Sequence, residues 1–282
     1  MKKLLVIIAF VLIGATSGNL LKAQVMDGAY IKKTIVDRKP APLPLVREAD
    51  VLWSKTVWRI IDMREKANQH FYYPTTEMHG RNNLFNILLR GIEDKRITAF
   101  DASITDNEFK EPITYNQVKQ QFGDSLRTIK VTDINTGNDR DSVVQSEIPV
   151  KEVKQLEIKE MWYFDKQKST LQVRILGLCP IRVFKKDPKD STFVKKRLFW
   201  VSYAEIRPIL AKKEILNDFN EARSLSFDDV FLTRRFDGYI VKEENVYNNR
   251  SIDEYAAGEY AFKESERIKN GIFDYEQDLW EY

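Results

Sequence analysis

Histidine and cysteine, which build many catalytic and metal sites, are rare in this 282-residue chain. Its two histidines, His70 and His79, both lie in "HFYYPTTEMH". A zinc site would need carboxylate or cysteine ligands joined to them at a regular spacing, which this segment does not show. A serine hydrolase would need one of them as its base, and the G-x-S-x-G motif is absent. We therefore expect a polar loop in which the imidazoles form local hydrogen bonds.

The single cysteine, Cys179, lies in "MWYFDKQKSTLQVRILGLCPI". A catalytic cysteine is partly exposed and surrounded by positive charge, whereas this one continues an apolar alternation. The alternation predicts a buried thiol with no catalytic role, on one strand face shared by six residues: Leu171, Val173, Ile175, Cys179, Ile181 and Val183. One cysteine also excludes an intramolecular disulfide.

Acidic residues occur in three arrangements that could do chemistry. "DINTGNDRD", residues 133 to 141, resembles a calcium loop. An EF-hand loop has glycine at position six and glutamate at position twelve, whereas here Gly137 is at position five and Val144 is at position twelve. A hairpin turn explains the segment without metal. The pairs Asp228/Asp229 and Glu243/Glu244 could serve a glycosidase. With 42 acids in the chain, adjacency by chance is the stronger explanation, and both pairs are expected to be solvated.

Aromatic side chains cluster on two neighbouring predicted strands and could form a sugar-binding platform. Their alternation predicts instead that at least half of them are core residues. The six are Trp162, Tyr163, Phe164, Phe199, Trp200 and Tyr203. Neither of the glycine-rich nucleotide-binding motifs occurs. The sequence thus predicts no catalytic, cofactor-binding or metal-binding residue and favours a protein that is not an enzyme.

Three consecutive antiparallel strands are predicted between Leu156 and Tyr203, and they would form the centre of an α+β fold. Ile158, Trp162 and Phe164 share one face of the first strand. The turn "DKQKS" leads to the second strand, and "KKDPKD" leads to the third, "VKKRLFWVSY". A short strand is expected in "RITAFDA", and a hairpin around "NTGN".

Helices are predicted on both sides of this sheet in the sequence. Trp53, Val57, Ile60 and Ile61 have helical spacing, so we expect an amphipathic helix from Asp50 to about Lys66. Other helices are expected from Asn83 to about Gly91, at Tyr115 to Gln121, in "AEIRPILAKKEIL", and in "FDDVFLTRRF". The last would begin with a capping box formed by Ser226 and Asp229.

The chain divides into four predicted parts. Residues 1–23 have two lysines, an apolar run and small residues, as a secretory signal peptide does. The predicted cleavage site after residue 23 lacks the cysteine that lipoprotein processing requires, so no lipid anchor is expected. Residues 24–47 are expected to form an extended proline-containing arm, residues 48–251 an α+β domain, and residues 252–282 a polar, aromatic-bearing tail that is helical or extended.

The charge balance argues against nucleic acid and against an anionic membrane surface as partners. Loss of residues 1–23 would remove Lys2, Lys3 and Lys22 and no acid, so that bases fall from 45 to 42 against 42 acids. No later stretch of about 20 residues is uniformly apolar, so direct membrane insertion is not expected. Association with other proteins is left open.

Several strings together resemble the GldN/PorN family: "VLWSKTVWRIIDMREKANQHFYYP", "ITAFDA", "EMWYFDKQKSTLQVRILGLCPI", "LFWVSYAEIRPILAK", "FDGYIVKEENVYNNRSI" and "ESERIKNGIFDYEQDLWEY". The resemblance extends from about Ala49 to the end. It implies a non-catalytic periplasmic component of the type IX secretion system of Bacteroidetes, which in gliding species also supports motility.

The resemblance further implies two partners. One is an outer-membrane lipoprotein of the GldK/PorK type, with which the family forms large periplasmic rings and which would hold this chain at the outer membrane. The other is an inner-membrane-anchored protein of the GldM/PorM type. The arm and the tail are candidates for the contacts between subunits. An alternative from a different class is a periplasmic module that binds envelope glycan, and a secreted hydrolase using His70 or His79 is a third.

Overall fold

An eight-stranded antiparallel sheet forms the centre of the protein. The computed structural model describes residues 37–103, 108–122, 127–132, 139–144, 148–185, 192–215 and 224–279. Along the sheet the strands follow the order β12-β1-β6-β7-β9-β2-β3, and β8 also pairs with β7. Two small hairpins, β4-β5 and β10-β11, lie outside this sheet.

The strands are β1 (Val51–Asp62), β2 (Ala99–Asp101), β3 (Pro112–Ile113), β4 (Arg127–Thr132), β5 (Asp139–Val144), β6 (Val153–Asp165), β7 (Thr170–Phe184), β8 (Val194–Arg197), β9 (Phe199–Ser202), β10 (Glu214–Ile215), β11 (Leu225–Ser226) and β12 (Tyr239–Glu243). The helices are α1 (Gln69–Tyr72), α2 (Leu84–Glu93), α3 (Tyr115–Gln121), α4 (Tyr203–Leu210), α5 (Phe227–Leu232) and α6 (Glu259–Asp278).

The predicted fold class is confirmed. β6, β7 and the β8-β9 segment are three consecutive antiparallel strands at the centre of the sheet. α2 begins after the predicted Asn83, whose side chain accepts a hydrogen bond from the Asn86 amide. α5 has the predicted capping box, in which Ser226 and Asp229 bond each other's backbone amides. The β4-β5 hairpin is also present, although its "NTGN" turn lies outside the described residues.

The helix predicted from Asp50 to about Lys66 is wrong, because this segment is the central strand β1. β1 pairs with β6 on one side and β12 on the other. A strand inside a sheet that is covered on both faces is apolar at successive positions, so its sequence does not alternate. Five consecutive residues from Val57 to Ile61 are buried. This continuous run contains the i, i+4 spacing that indicated a helix.

A β-bulge divides the face that β7 was predicted to present. Glu160 pairs with Ile175 and Lys159 with Gly177, so Leu176 has no partner in β6. The additional residue reverses the alternation beyond it. Leu171, Val173 and Ile175 therefore face one side of the sheet, while Cys179, Ile181 and Val183 face the other.

The helix predicted in "AEIRPILAKKEIL" is shorter than expected. α4 ends at Leu210, two residues after Pro208, and the rest of the segment turns into β10. Proline has no amide hydrogen to donate and crowds the preceding turn, which disfavours a long continuation of the helix.

The two faces of the sheet carry different cores. The face that includes Ile61, Leu156 and Ile158 is covered by α2, α4 and α5, and we call it the helical face. The opposite face buries a smaller cluster around Trp58, Cys179 and Trp200, as well as Ile60, Ala102, Ile181, Val183 and Val241. All described residues belong to one compact unit, Thr34–Tyr282.

Candidate functional site

Cys179 is fully buried on the sheet face opposite the helices. Its strand neighbour in β6 is Glu157, which is also buried and forms an ion pair with Arg197. Burial and the Glu157 carboxylate raise the pKa of the Cys179 thiol well above its usual value. The predicted buried thiol is confirmed, and it lacks the positively charged, accessible surroundings of a reactive cysteine.

A second buried carboxylate, Glu160, lies on the helical face between two arginines. Its Oε2 atom is 3.4 Å from Arg59 Nε and 3.2 Å from Arg234 Nη2, and it accepts a 3.2 Å hydrogen bond from Trp162 Nε1. Arg59 also donates to the Gly238 carbonyl at 2.7 Å. These groups hold β1, β6, the start of β12 and the segment after α5 together, which is a structural role.

The acidic pair Asp228/Asp229, which was expected to be solvated, has one buried member. Asp228 is 2% exposed and accepts hydrogen bonds from the Tyr203 hydroxyl at 2.9 Å and from Arg207 Nε at 2.9 Å. The prediction for this residue is wrong, because α5 turns it toward α4. Burial, and then the Asp228 charge, raise the pKa of Tyr203. Asp229 forms the helix cap and an ion pair with Arg38 at 2.7 Å.

The second acidic pair also has structural contacts. Glu243 forms an ion pair with Lys55 at 2.5 Å, and Glu244 donates its backbone amide to the Thr56 carbonyl at 2.9 Å. Neither pair brings two carboxylates to opposite sides of a cleft, as glycoside hydrolysis requires. Of the calcium-like loop, residues 133–138 lie outside the described residues, and from Asp139 onward the chain is β5.

The two histidines lie beside a groove of about 830 Å³. The groove brings residues 66–81 together with β10, β11 and α5, which are about 150 positions away in the sequence. Its apolar lining includes Tyr73, Met78, Ile215, Leu225 and Val230. Lys66, His70, His79, Arg81 and Arg235 supply its basic groups. We call it the basic groove, and it was not predicted, since nothing in the local sequence relates these distant segments.

The charge of the basic groove is of one sign. Among its described lining residues there is no carboxylate, although Glu214 beside the groove forms an ion pair with Arg81 at 3.7 Å. The part of the chain that the structure describes contains no group of three or more His, Cys, Asp or Glu side chains that could hold a metal ion. The groove therefore has the chemistry of a site for an acidic, partly apolar ligand.

The six aromatic residues of the predicted strands are all buried, at 9% exposure or less. The prediction that at least half are core is confirmed. The most exposed aromatic side chains of the described residues lie instead between Val246 and Phe262. Tyr247 is 64% exposed, Tyr260 75% and Phe262 61%. We call residues 246–262 the tail patch.

A cation-π stack orders part of the tail patch. The Arg250 guanidinium lies 4.8 Å from the Tyr247 ring centroid and 4.6 Å from that of Tyr255. The Tyr255 hydroxyl donates to Glu264 in α6 at 3.1 Å. Tyrosine and arginine are the residue types that most often carry binding energy in protein interfaces, so this surface suits a protein partner.

The described part of the arm, residues 37–47, contains no helix or strand and contacts its own domain. Arg207 donates to the Ala41 carbonyl at 2.6 Å, and Arg174 donates to the Pro44 carbonyl at 2.5 Å. With the Arg38 ion pair to Asp229, these contacts hold the arm across α4, β7 and α5.

The tail also contacts its own domain. Ile268 and Ile272 of α6 are 2% exposed and pack with Val57 and Ile240. The Ser265 hydroxyl accepts a 3.0 Å hydrogen bond from the Ile240 amide. These contacts make α6 a layer on the outer part of the helical face.

A comparison with family models decides the identity of this fold. The model described as "Gliding motility associated protein GldN" matches residues 46–281. The chain belongs to the GldN family. A search of curated proteins found no match. The match covers the sheet, every helix given above and the tail patch, so it extends over the whole unit and not over one motif.

GldN proteins are components of the gliding motility and type IX secretion machinery, which works in the cell envelope. They form a structural family that is not known as enzymatic. Within the described residues, none of the helices is long and apolar enough to cross a membrane. In this chain the buried carboxylates and the buried thiol have their contacts within the fold, whereas the tail patch and part of the basic groove are exposed.

Proposed function

We propose that this chain is a non-catalytic structural subunit of the type IX secretion machinery in the periplasm. In this proposal it forms a ring with an outer-membrane lipoprotein of the GldK/PorK type and also contacts an inner-membrane-anchored protein of the GldM/PorM type. The observation that carries the proposal is the family match over residues 46–281. The signal peptide predicted at residues 1–23 supports the location.

The surface chemistry supports a binding role. The tail patch presents three strongly exposed aromatic rings next to an arginine stack, and such rings lose little conformational entropy when a partner covers them. The polar groups that resemble catalytic residues are instead used in buried ion pairs. No residue is proposed to be catalytic or to bind a cofactor.

We also propose the division into an arm (24–47), a domain (48–251) and a tail (252–282). The contacts of Ala41 and Pro44, and of Ile268 and Ile272, attach both ends to the domain. Removing the tail would uncover apolar residues of the sheet. Point substitutions on the outer surfaces are therefore a cleaner test of intersubunit contacts than deletion of either end.

The experiment that tests the function is purification of an affinity-tagged chain from detergent-solubilised envelopes, followed by mass spectrometry. We expect a lipoprotein in near-equal amount and a smaller amount of an inner-membrane-anchored periplasmic protein. Recovery of the chain alone after mild crosslinking would contradict the proposal.

The glycan-binding alternative has lost the observation that motivated it, because the six aromatic residues of the strands are buried. A peptidoglycan pull-down in the absence of the lipoprotein separates the two functions. We expect the chain to stay in the supernatant.

A further inference from the structure

We propose that the basic groove is a binding site for a small organic acid, an acyl carboxylate whose apolar chain lies on the floor of the groove and whose carboxylate faces Lys66 and Arg235. The inference goes beyond the proposed structural function and does not depend on it. It gives the chain a ligand site made of other residues than the tail patch.

The groove is concave and has a buried apolar floor. Ile215 is 6% exposed and Val230 is 1% exposed, and both line the groove. Tyr73 and Met78 lie at its rim, since each of them is 57% exposed. The volume of about 830 Å³ lies within the range of about 300 to 1,000 Å³ that is usual for small-molecule sites. The groove therefore has the size and the lining of a site for one small, largely apolar ligand.

Two of the cations in the groove lie where the residues before α1 meet the segment after α5. Asn68 Nδ2 donates to the Asp237 carbonyl at 3.0 Å, and the Asp237 amide donates to Asn68 Oδ1 at 3.0 Å. Lys66 and Arg235 each precede one of these residues by two positions, which is at most about 7 Å of chain. Neither cation forms an ion pair with any residue in the part of the chain that the structure describes. An anionic group in this part of the groove is therefore attracted by both charges.

The lining favours an acyl chain over a peptide segment. Its aliphatic side chains, such as Met78 and Leu225, form no strong hydrogen bonds, and methionine adapts to the shape of a flexible chain. A peptide would bring backbone N–H groups that need acceptors. Apart from the histidines, Gln69 and Tyr73 are the only described lining side chains with an oxygen that could accept from them. A carboxylate needs donors instead, and lysine and arginine are donors.

The test is isothermal titration calorimetry of the purified chain with three ligands that share one apolar chain. These ligands are decanoate, decanol and decyltrimethylammonium, each below its micelle concentration. The groove variant carries Lys66→Glu and Arg235→Glu. The matched control carries Lys110→Glu and Lys195→Glu, which make the same charge change at exposed positions outside the groove.

We expect the unaltered chain to bind one decanoate, about tenfold or more tightly than decanol. Octanoate should bind about tenfold more weakly than decanoate, because two methylene groups fewer are buried. Both comparisons use the unaltered chain, so they do not depend on how a substitution affects folding. Absence of saturable decanoate binding, or equal binding of decanoate and decanol, overturns the inference.

The substitutions locate the site. Decanoate should bind about tenfold or more weakly to the groove variant and equally well to the control. The groove variant should also bind decyltrimethylammonium more tightly than the control does, since two glutamates then replace the two cations. Such a gain shows that the lost decanoate binding reflects charge and not misfolding. Equal decanoate binding by groove variant and control would place the ligand elsewhere and overturn the inference.

Two further probes separate a free acid from other carriers of the same chemistry. The acetylated peptide EELWEE represents an acidic, apolar protein segment, and phosphatidylglycerol vesicles represent a membrane surface. We expect the peptide not to displace decanoate, and the chain to stay in the supernatant when the vesicles are sedimented. Displacement by the peptide would assign the groove to a protein partner, and co-sedimentation that the groove variant loses would assign it to a membrane. Either result overturns the inference, whereas co-purification of the lipoprotein tests the proposed function separately.

Discussion

At the scale of single residues, the least replaceable groups are the buried carboxylates. Glu160 is fully buried, and Arg59, which it faces, is only 7% exposed. Two charged groups removed from water are stable only because each compensates the other. A change that removes one of them leaves the other charge in a medium that solvates it poorly.

We therefore expect Glu160→Gln to destabilise the fold by about 3 to 5 kcal/mol, although glutamine has nearly the same shape. The measurement is urea-induced unfolding followed by tryptophan fluorescence. The matched control is Glu77→Gln, which removes an exposed ion pair with Arg90 and should change the midpoint very little. Equal midpoints for the two variants would show that Glu160 is not a structural group.

Cys179 should be chemically silent in the folded protein. Burial and Glu157 raise the pKa of its thiol, so the folded chain holds this proton more tightly than the unfolded chain does. Its contribution to stability is present below the usual thiol pKa near 9 and is lost as pH rises above that value. We expect iodoacetamide to modify Cys179 in urea and hardly at all in buffer at pH 8 to 9. Rapid modification without urea would contradict its burial.

The sequence indicated the burial of Cys179 but not that of Asp228. An apolar alternation around a cysteine is a local pattern, and it is visible in the sequence. The burial of Asp228 depends on Tyr203 and Arg207, more than 20 positions earlier, and on the helices that bring them within 3 Å. Such a long-range hydrogen-bonded pair has no local signature.

At the scale of elements, the errors of prediction share one cause. β1 was read as a helix because both of its faces are covered, and the face of β7 was misassigned because of the extra residue Leu176. Both features depend on neighbouring strands. Elements with local signals were predicted well, such as α5 with its capping box. The basic groove could not be predicted, since it joins α1 to β10, β11 and α5 across the fold.

α6 should behave as part of the domain and not as a detachable tail. Ile268→Ala or Ile272→Ala should each cost about 2 to 5 kcal/mol, because the truncation leaves a cavity against Val57 and Ile240. At the start of the same helix, Phe262→Ala should change stability by less than about 0.5 kcal/mol, since Phe262 is exposed. The free energies come from urea titrations. If all three variants have the same free energy of unfolding as the wild type, α6 does not pack on the sheet in solution.

At the scale of the whole molecule, the interior and the ends have separate tasks. The interior has its charges paired and its aromatic residues covered, which leaves it few groups for binding. Two exposed surfaces remain for partners in the described part of the chain, the tail patch and the basic groove. Such an arrangement suits a subunit that is contacted on several sides at once.

This separation predicts that binding can be lost without loss of folding. Tyr247→Ser, Tyr260→Ser and Phe262→Ser together should leave the urea midpoint within error of the wild type, because all three rings are more than 60% exposed. The same triple variant should co-purify with about tenfold less lipoprotein, since exposed aromatic anchors supply much of the energy of an interface. The measurement is the ratio of lipoprotein to tagged chain by quantitative mass spectrometry.

The control for the tail patch is a second triple variant with the same number of exposed apolar side chains changed: Leu52→Ser, Phe193→Ser and Leu232→Ser. We expect it to retain the lipoprotein, because these residues lie outside the tail patch. If both triple variants bind normally, the lipoprotein contacts another surface. If both lose the lipoprotein equally, apolar exposure in general, and not the tail patch, determines the association.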